Sequence, residues 1–219
     1  MTGATRGRFI TLEGGEGAGK SEQAKRLEER LRSLKLDVVR TREPGGSPHA
    51  EELRKVVLSG FAARLGPAGE ALLFAAARAD HLDQTILPAL ERGAWVICDR
   101  FADSTRVYQG VAGKLDSGYV ATLEDIVIGK NLPDLTIVLD IPAEAGLERA
   151  RLRRGTVSPD RFEAEGVEYH EMLRRAFLEI AAAEPQRCVV VDARKSEEEV
   201  ANAIWSAVEQ RLDPAGAAA

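Results

Sequence analysis

Eight residues near the N-terminus carry the strongest chemical signal in the chain. Gly14-Gly15-Glu16-Gly17-Ala18-Gly19-Lys20-Ser21 fits the spacing GxxxxGK[ST], with an apolar run before it and a helical pattern after it. Glycines there let successive backbone N–H groups converge on phosphate oxygens without obstruction by Cβ. The helix N-terminus adds partial positive charge, Lys20 can reach the β- and γ-phosphates, and the Ser21 hydroxyl can ligate Mg²⁺. The loop thus predicts binding of a nucleoside triphosphate. Switches, motors and small-molecule kinases all share it, so the motif leaves the reaction open.

Three further sets of residues bear on that question. Asp99-Arg100-Phe101 follows another apolar run, where Asp99 can orient Mg²⁺ or its waters and Arg100 can grip a phosphate. Thr41-Arg42-Glu43-Pro44-Gly45-Gly46 forces a tight turn that carries Arg42. Two arginines on neighbouring strand ends would form an anion site separate from the phosphate loop, which suggests an acceptor that already carries a phosphate. Phe74 and Arg78 are i and i+4 and share a helix face, the ring suited to stacking on a base and the guanidinium to its edge. Arg donates only, so it favours thymine, whose O4 accepts, over cytosine, whose N4 donates. Leu72, Ala76, Ala79, Leu82 and Ile86 trace a second stripe of that helix, expected to face the core. Finally, Arg149, Arg151, Arg153 and Arg154 fall within six residues, either as a solvated helix face or as a clamp on phosphates.

These residues need a frame, and the hydropathy pattern supplies one. Short apolar runs at residues 9–12, 38–41, 95–98, 136–139 and 188–191 alternate with helical stretches such as 21–34, 69–92 and 196–211. Four of the runs are continuous, as in strands covered on both faces. The alternation predicts an α/β fold: a five-stranded parallel sheet with helices on both faces, joined by right-handed crossovers. Such sheets bind ligands at the carboxyl ends of their strands, where the phosphate loop, Asp99, Arg100 and Arg42 should meet. Residues 1–219 read as one domain, with a loop or lid at about 149–165 and loose tails at 1–7 and 213–219.

Composition agrees with this frame and excludes other classes. The chain has 219 residues, 44% hydrophobic and 30% charged, ordinary values for a globular protein. No apolar run approaches the roughly 18 residues of a membrane helix, and the N-terminus lacks a secretory pattern. Cys98 and Cys188 lie far apart and suit buried, reduced thiols; three scattered histidines argue against a zinc site. A net charge of −5 argues against a nucleic-acid coat protein.

The segments FITLEGGEGAGKS, TREPGG, LLFAAAR, DRF with STRVYQG, and the arginine-rich stretch ending DRFE together resemble the thymidylate kinase family. They occur in that family's order, and the resemblance runs from Phe9 to about Leu212. It implies a P-loop NTPase fold with an arginine-rich lid, and transfer of the ATP γ-phosphoryl group to dTMP with Mg²⁺ as cofactor. It assigns residues 14–21 (Gly14, Gly15, Glu16, Gly17, Ala18, Gly19, Lys20 and Ser21) and Arg149 to ATP, with Arg149 stacking on adenine. Phe74 would stack on thymine, Arg78 would meet O4, and Thr105 and Gln109 would add base contacts. Arg42 and Arg100 would hold the dTMP phosphate, Tyr108 would lie against the deoxyribose, and Glu16 would face the 3′-hydroxyl. Asp99 and Ser21 would serve the metal. Lys20, Asp99 and a lid arginine would be catalytic.

Some members of the family place a catalytic arginine inside the phosphate loop. Here Glu16, Gly17 and Ala18 stand there, so the resemblance is to bacterial-type members, and Arg153 or Arg154 (Arg154 by preference) would supply the cation. Glu22 departs from the second hydroxyl usual after Lys-Ser/Thr. The resemblance further implies a cytoplasmic homodimer acting on ATP and dTMP, without nucleic-acid or membrane partners. Two other readings stay open: a kinase for another nucleoside monophosphate or a deoxynucleoside, and a P-loop module without turnover.

Overall fold

The computed structural model describes residues 6–156 and 161–217. Five strands form where the apolar runs stand: β1 Phe9–Glu13, β2 Val38–Arg42, β3 Trp95–Asp99, β4 Leu135–Asp140 and β5 Cys188–Asp192. All pair in parallel in the order β2-β3-β1-β4-β5. The expected five-stranded parallel sheet is thus present. The central strands β1, β3 and β4 are buried almost throughout, as continuous apolar sequence requires. The fourth continuous run, β5, is an edge strand with Val190 45% exposed, so its sequence overstates its cover.

The connection from β1 runs out to the edge strand β2, whereas that from β3 runs the other way to β4, so a crevice opens at the carboxyl ends of the neighbouring strands β1 and β3. Register brings the chemistry to that edge: Leu12 and Arg42 both pair with Asp99.

Helices cover both faces. On one side α1 (Lys20–Ser33) packs Ala24, Leu27 and Leu31 into a core shared with Ile204 and Val208 of α9 (Glu197–Leu212). A reciprocal capping box between Ser196 and Glu199 starts α9. On the other side, α2 (Pro48–Leu58) and α3 (Gly66–His81) pack together, and a π-helical turn, Leu82–Ile86, joins α3 to α4 (Leu87–Glu91). Leu82, Ile86 and Leu90 pack there with Phe9, Val96 and Cys98. The single helix expected over 69–92 is therefore three pieces. Pro88 has no N–H to give the carbonyl one turn back, and the wider turn relieves the crowding of its ring.

The expected inward stripe on α3 is also corrected. Leu72, Ala76 and Ala79 are exposed, while Ala71, Ala75 and Arg78 point inward; only Leu82 and Ile86 follow the expectation. After β3 come α5 (Ala102–Thr105), a π-helical turn at Arg106–Ala112, and α6 (Ser117–Val127). Beyond β4, α7 (Ala143–Arg154) leads to the lid segment, and α8 (Val167–Ala183) returns onto Val138 and Cys188 through Leu173 and Phe177.

Both ends are tied in beyond expectation. Gly7 is buried and donates to the Leu90 carbonyl at 2.8 Å, and α10 (Pro214–Ala217) forms a last turn with Pro214 buried. Residues 157–160, within the expected lid, lie outside the described residues, as do 1–5 and 218–219. Both cysteines are free and buried. No single helix among the described residues is long and apolar enough to cross a membrane.

Candidate active site

The phosphate loop emerges from β1 and passes beneath the start of α7. At Gly17 (φ 67°) an added Cβ would lie 1.9 Å from the Gly146 carbonyl oxygen, so only glycine permits this approach of two backbones. Lys20, the first residue of α1, folds its ammonium back onto the carbonyls of Gly14 (3.1 Å) and Gly15 (2.7 Å). Burial lowers its pKa to about 8, with Arg100 adding to the effect and Glu16 and Asp99 opposing it. The Ser21 hydroxyl donates to Asp99 Oδ2 at 2.5 Å, which sets two hard oxygen donors side by side at the ends of α1 and β3. Glu22 pairs with Arg26 one turn along the helix.

Arg100 stands at the end of β3 with a left-handed φ of 69°, a conformation that costs a non-glycine residue of order 1–3 kcal/mol. Its surroundings hold it there. The backbone N–H donates to Leu12 O, and the guanidinium donates to Glu16 Oε1 (2.5 Å) and Gly14 O (3.1 Å) and lies 5.3 Å from the Tyr108 ring centroid. Burial alone would push the Glu16 carboxyl up, but Arg100 and then Lys20 outweigh it and hold it at about 2. The Tyr108 phenol donates to the same oxygen at 3.2 Å, and burial raises its pKa well above the usual range. Arg42 sits on the rim, more than half exposed and paired with Glu51.

One cavity of about 260 Å³ connects these groups to the residues expected to read a base. Glu16, Ser21, Arg42, Asp99 and Arg100 line one part of it, and Phe74, Arg78, Thr105, Tyr108 and Gln109 another. Phe74 and Arg78 share the cavity as the i, i+4 spacing requires. Thr105 is buried, and its hydroxyl accepts from Arg78 Nη2 at 3.1 Å. Gln109 is carried by the π-helical turn and donates to Glu70 Oε2 at 3.2 Å.

The arginine cluster divides. Arg149 donates to the carbonyls of Ala193 and Arg194, one turn beyond the Gly146 contact with the phosphate loop. Arg151 makes an ordinary surface pair with Glu148. Arg153 lines the cavity with its side chain 63% exposed, 3.6 Å from Glu163. Arg154 is the more buried of the two and pairs with the other oxygen of Glu163; it is not among the lining residues. The lid's far end is anchored by Arg161 to Glu70, whereas Asp160 lies outside the described residues.

Sequence reasoning missed Arg54, which lines the cavity from α2 and donates to Pro44 O, and gave no role to Glu43, Glu70 or Ser104. Arg54 stands nearly two helical turns beyond the start of α2, which follows the turn that carries Arg42, and that proximity was its only signal. The three others act on protein partners; Ser104, for example, donates to the buried Glu13.

A phosphate loop faced by Arg100 and opening into a recess with an aromatic ring and a buried arginine defines a P-loop protein of the nucleotide kinase class. The family model described as thymidylate kinase matches residues 12–204. The chain is 56% identical over 217 residues to the thymidylate kinase of Bradyrhizobium sp. (strain ORS 278), covering 99% of this chain and 96% of that protein. It is 56% identical over 210 residues to the thymidylate kinase of Nitrobacter hamburgensis, covering 96% and 91%. The crystal structure of thymidylate kinase from Ehrlichia chaffeensis superposes with a TM-score of 0.74 at 31% identity, covering 93% of this chain and 99% of that chain. The chain belongs to the thymidylate kinase family. It is a nucleoside monophosphate kinase that uses ATP to phosphorylate dTMP to dTDP, as the resemblance implied.

Proposed function

We propose that dTMP occupies the cavity with its base between Phe74 and Arg78 and its phosphate toward Arg100 and Arg42, while ATP lies along the phosphate loop. The observation that carries this reading is the shared Glu16 carboxylate. A phosphate-loop residue is held by Arg100 and Tyr108 inside the same cavity whose other wall holds Phe74 and Arg78. Glu16 then faces the 3′-hydroxyl, and the Tyr108 ring fills the space a 2′-hydroxyl would need. Thr105 acts at the base through Arg78, and Gln109 adds its amide.

Phosphoryl transfer demands in-line positioning and cancellation of charge more than covalent chemistry. Lys20 exchanges its loop carbonyls for ATP phosphate oxygens. Ser21 and Asp99 would hold Mg²⁺; this donor pair of a hydroxyl and a carboxylate suits a hard cation that takes most of its ligands from phosphate and water. When bound, that ion neutralises charge on the β- and γ-phosphates. Arg153 or Arg154 leaves Glu163 to meet the transferring group in a site from which water is excluded. Arg149 stacks on adenine from the root of the lid.

We further propose a single domain that works as a homodimer. Exposed Leu72 on α3 and Ile126 on α6, two helices packed against each other, support an apolar contact surface. A cytoplasmic setting fits two buried free thiols.

Coupled ADP release with ATP and Mg²⁺ against dTMP, dUMP, UMP, CMP and AMP tests the acceptor assignment; dTMP should be used best. Preference for a ribonucleotide would overturn the assigned pocket. Light scattering should give twice the chain mass, and Leu72→Arg with Ile126→Arg should halve it.

A further inference from the structure

The guanidinium of Arg78 is almost fully buried, yet only part of it faces the cavity. Its Nε–H donates to Glu43 Oε2 at 2.7 Å, and Nη2 donates to Phe101 O and Thr105 Oγ1, each at 3.1 Å. Arg has five N–H donors in a rigid planar fork. Three are taken by these bonds, which leaves the Nη1 pair to serve the cavity.

What holds the fork is itself held. The second oxygen of Glu43 meets His81 Nδ1 at 3.1 Å, and His81 Nε2 meets Thr41 Oγ1 at 2.7 Å. A carboxylate paired with arginine can only accept, so Nδ1 carries a proton, and in the neutral ring Nε2 then accepts the Thr41 hydroxyl hydrogen. The imidazole is completely buried and Glu43 nearly so. Gly46 confirms that the turn is shaped around this chain of bonds. At its φ of 85° an added Cβ would fall 2.3 Å from both His81 Nε2 and Thr41 Oγ1, and its carbonyl is fixed by the Thr85 hydroxyl at 2.8 Å. Thr41 comes from β2, Glu43 from the following turn, and His81 and Arg78 from α3, so the chain ties three elements to one donor pair.

We propose that Glu43 and His81 are positioning residues that aim the free Nη1 donors of Arg78, and thereby set the preference for thymine over cytosine. The proposal rests on the reading of Arg78 as the base-edge donor and extends it to the residues behind it. Without His81, Glu43 loses the partner of one oxygen and can rotate. The fork then turns with it, and its donors no longer address one exocyclic atom.

The test measures kcat and KM for dTMP and dCMP, and KM for ATP, in His81→Leu, Glu43→Gln, Thr41→Val and the conservative His81→Gln, with Arg78→Ala as reference. His81→Leu and Glu43→Gln should raise KM for dTMP at least tenfold, leave KM for ATP within twofold, and lower dTMP-over-dCMP discrimination at least tenfold. Thr41→Val, a near-isosteric change at a partly buried position, should shift KM for dTMP and the dTMP-over-dCMP discrimination in the same direction by two- to fivefold. His81→Gln, which can donate and accept at once, should recover most of the discrimination. Unchanged discrimination in the folded variants, or equal losses for ATP and dTMP, overturns the proposal while Arg78→Ala still loses dTMP. If the buried variants do not fold, Thr41→Val with wild-type discrimination overturns it. If Arg78→Ala itself keeps both KM and discrimination, the base-edge reading fails, and the positioning proposal with it.

Discussion

Arg78 and Arg100, 4% and 16% exposed, pair with Glu43 and Glu16, carboxylates contributed by other elements, whereas Arg153 and Arg154, 63% and 21% exposed, share the single carboxylate of Glu163. In the pocket each guanidinium also has backbone carbonyls to donate to, Phe101 O for Arg78 and Gly14 O for Arg100. At the lid one carboxylate serves two cations. The pocket therefore has its charges fixed before substrate arrives, at a folding cost that internal partners offset. The lid keeps cations whose partner can be exchanged for a phosphate. On the proposed assignment, recognition is built into the fold and the transition-state charge comes from groups held less tightly by it.

The strongest challenge to this contrast is Arg100→Ala. It strands Glu16 in a buried site and removes the phosphate contact. Activity should drop by a factor of about 10³ or more, and stability by roughly 3–5 kcal/mol, as for other broken buried pairs. Turnover and a urea midpoint check both, and an inactive variant of full stability would show that the pocket is not held by its ion pairs.

Next in size is an acid-limb effect. Glu16 has a folded pKa of about 2 against an ordinary 4.5, so its contribution is complete above pH 4.5 and vanishes as pH falls toward 2. That contribution is on the order of 3 kcal/mol, and Glu16→Gln should flatten the acid limb of a stability-versus-pH curve. An unchanged limb would remove Glu16 from the set of prepaired charges.

The lid should behave in the opposite way. Arg153→Ala or Arg154→Ala should lower kcat tenfold or more, about 1.4 kcal/mol of barrier, while the urea midpoint hardly moves for the exposed Arg153 and moves less for Arg154 than for Arg100→Ala. Loss of stability without loss of kcat would reverse the assignment of the two regions. The smallest effect on turnover is expected for Glu163→Gln; its carboxyl is only 12% exposed, but the amide oxygen still accepts from the arginines, so stability should change by about 1 kcal/mol. Its kcat should lose part of its dependence on salt, which a series of ionic strengths would reveal.

The contrast also explains what the sequence could convey. The sheet was legible because β1, β3 and β4 are apolar on both faces, and the phosphate loop because its glycines meet local backbone demands. The face of α3 was not. Residues Ala75 to Ala79 are nearly all alanine, so periodicity is faint there, and the decisive inward residue is a charged one whose partners lie 23 to 35 positions away. No local pattern announces that Glu43, Thr105 and Phe101 O will satisfy Arg78. The π-helical turns escaped for a similar reason, because each inserts a residue into a pattern that reads as plain helix. The lid cluster was visible as composition, but only geometry separated Arg151, a surface pair, from Arg153 on the cavity wall.

The bare contact of Gly17 with Gly146 joins these two regions mechanically. With no side chain on either residue, nothing compressible lies between the phosphate loop and the root of α7. The helix runs eight residues further to Arg154, about 12 Å at 1.5 Å per residue. By geometry alone, a small tilt of α7 at the phosphate loop would become a larger sweep at the arginines.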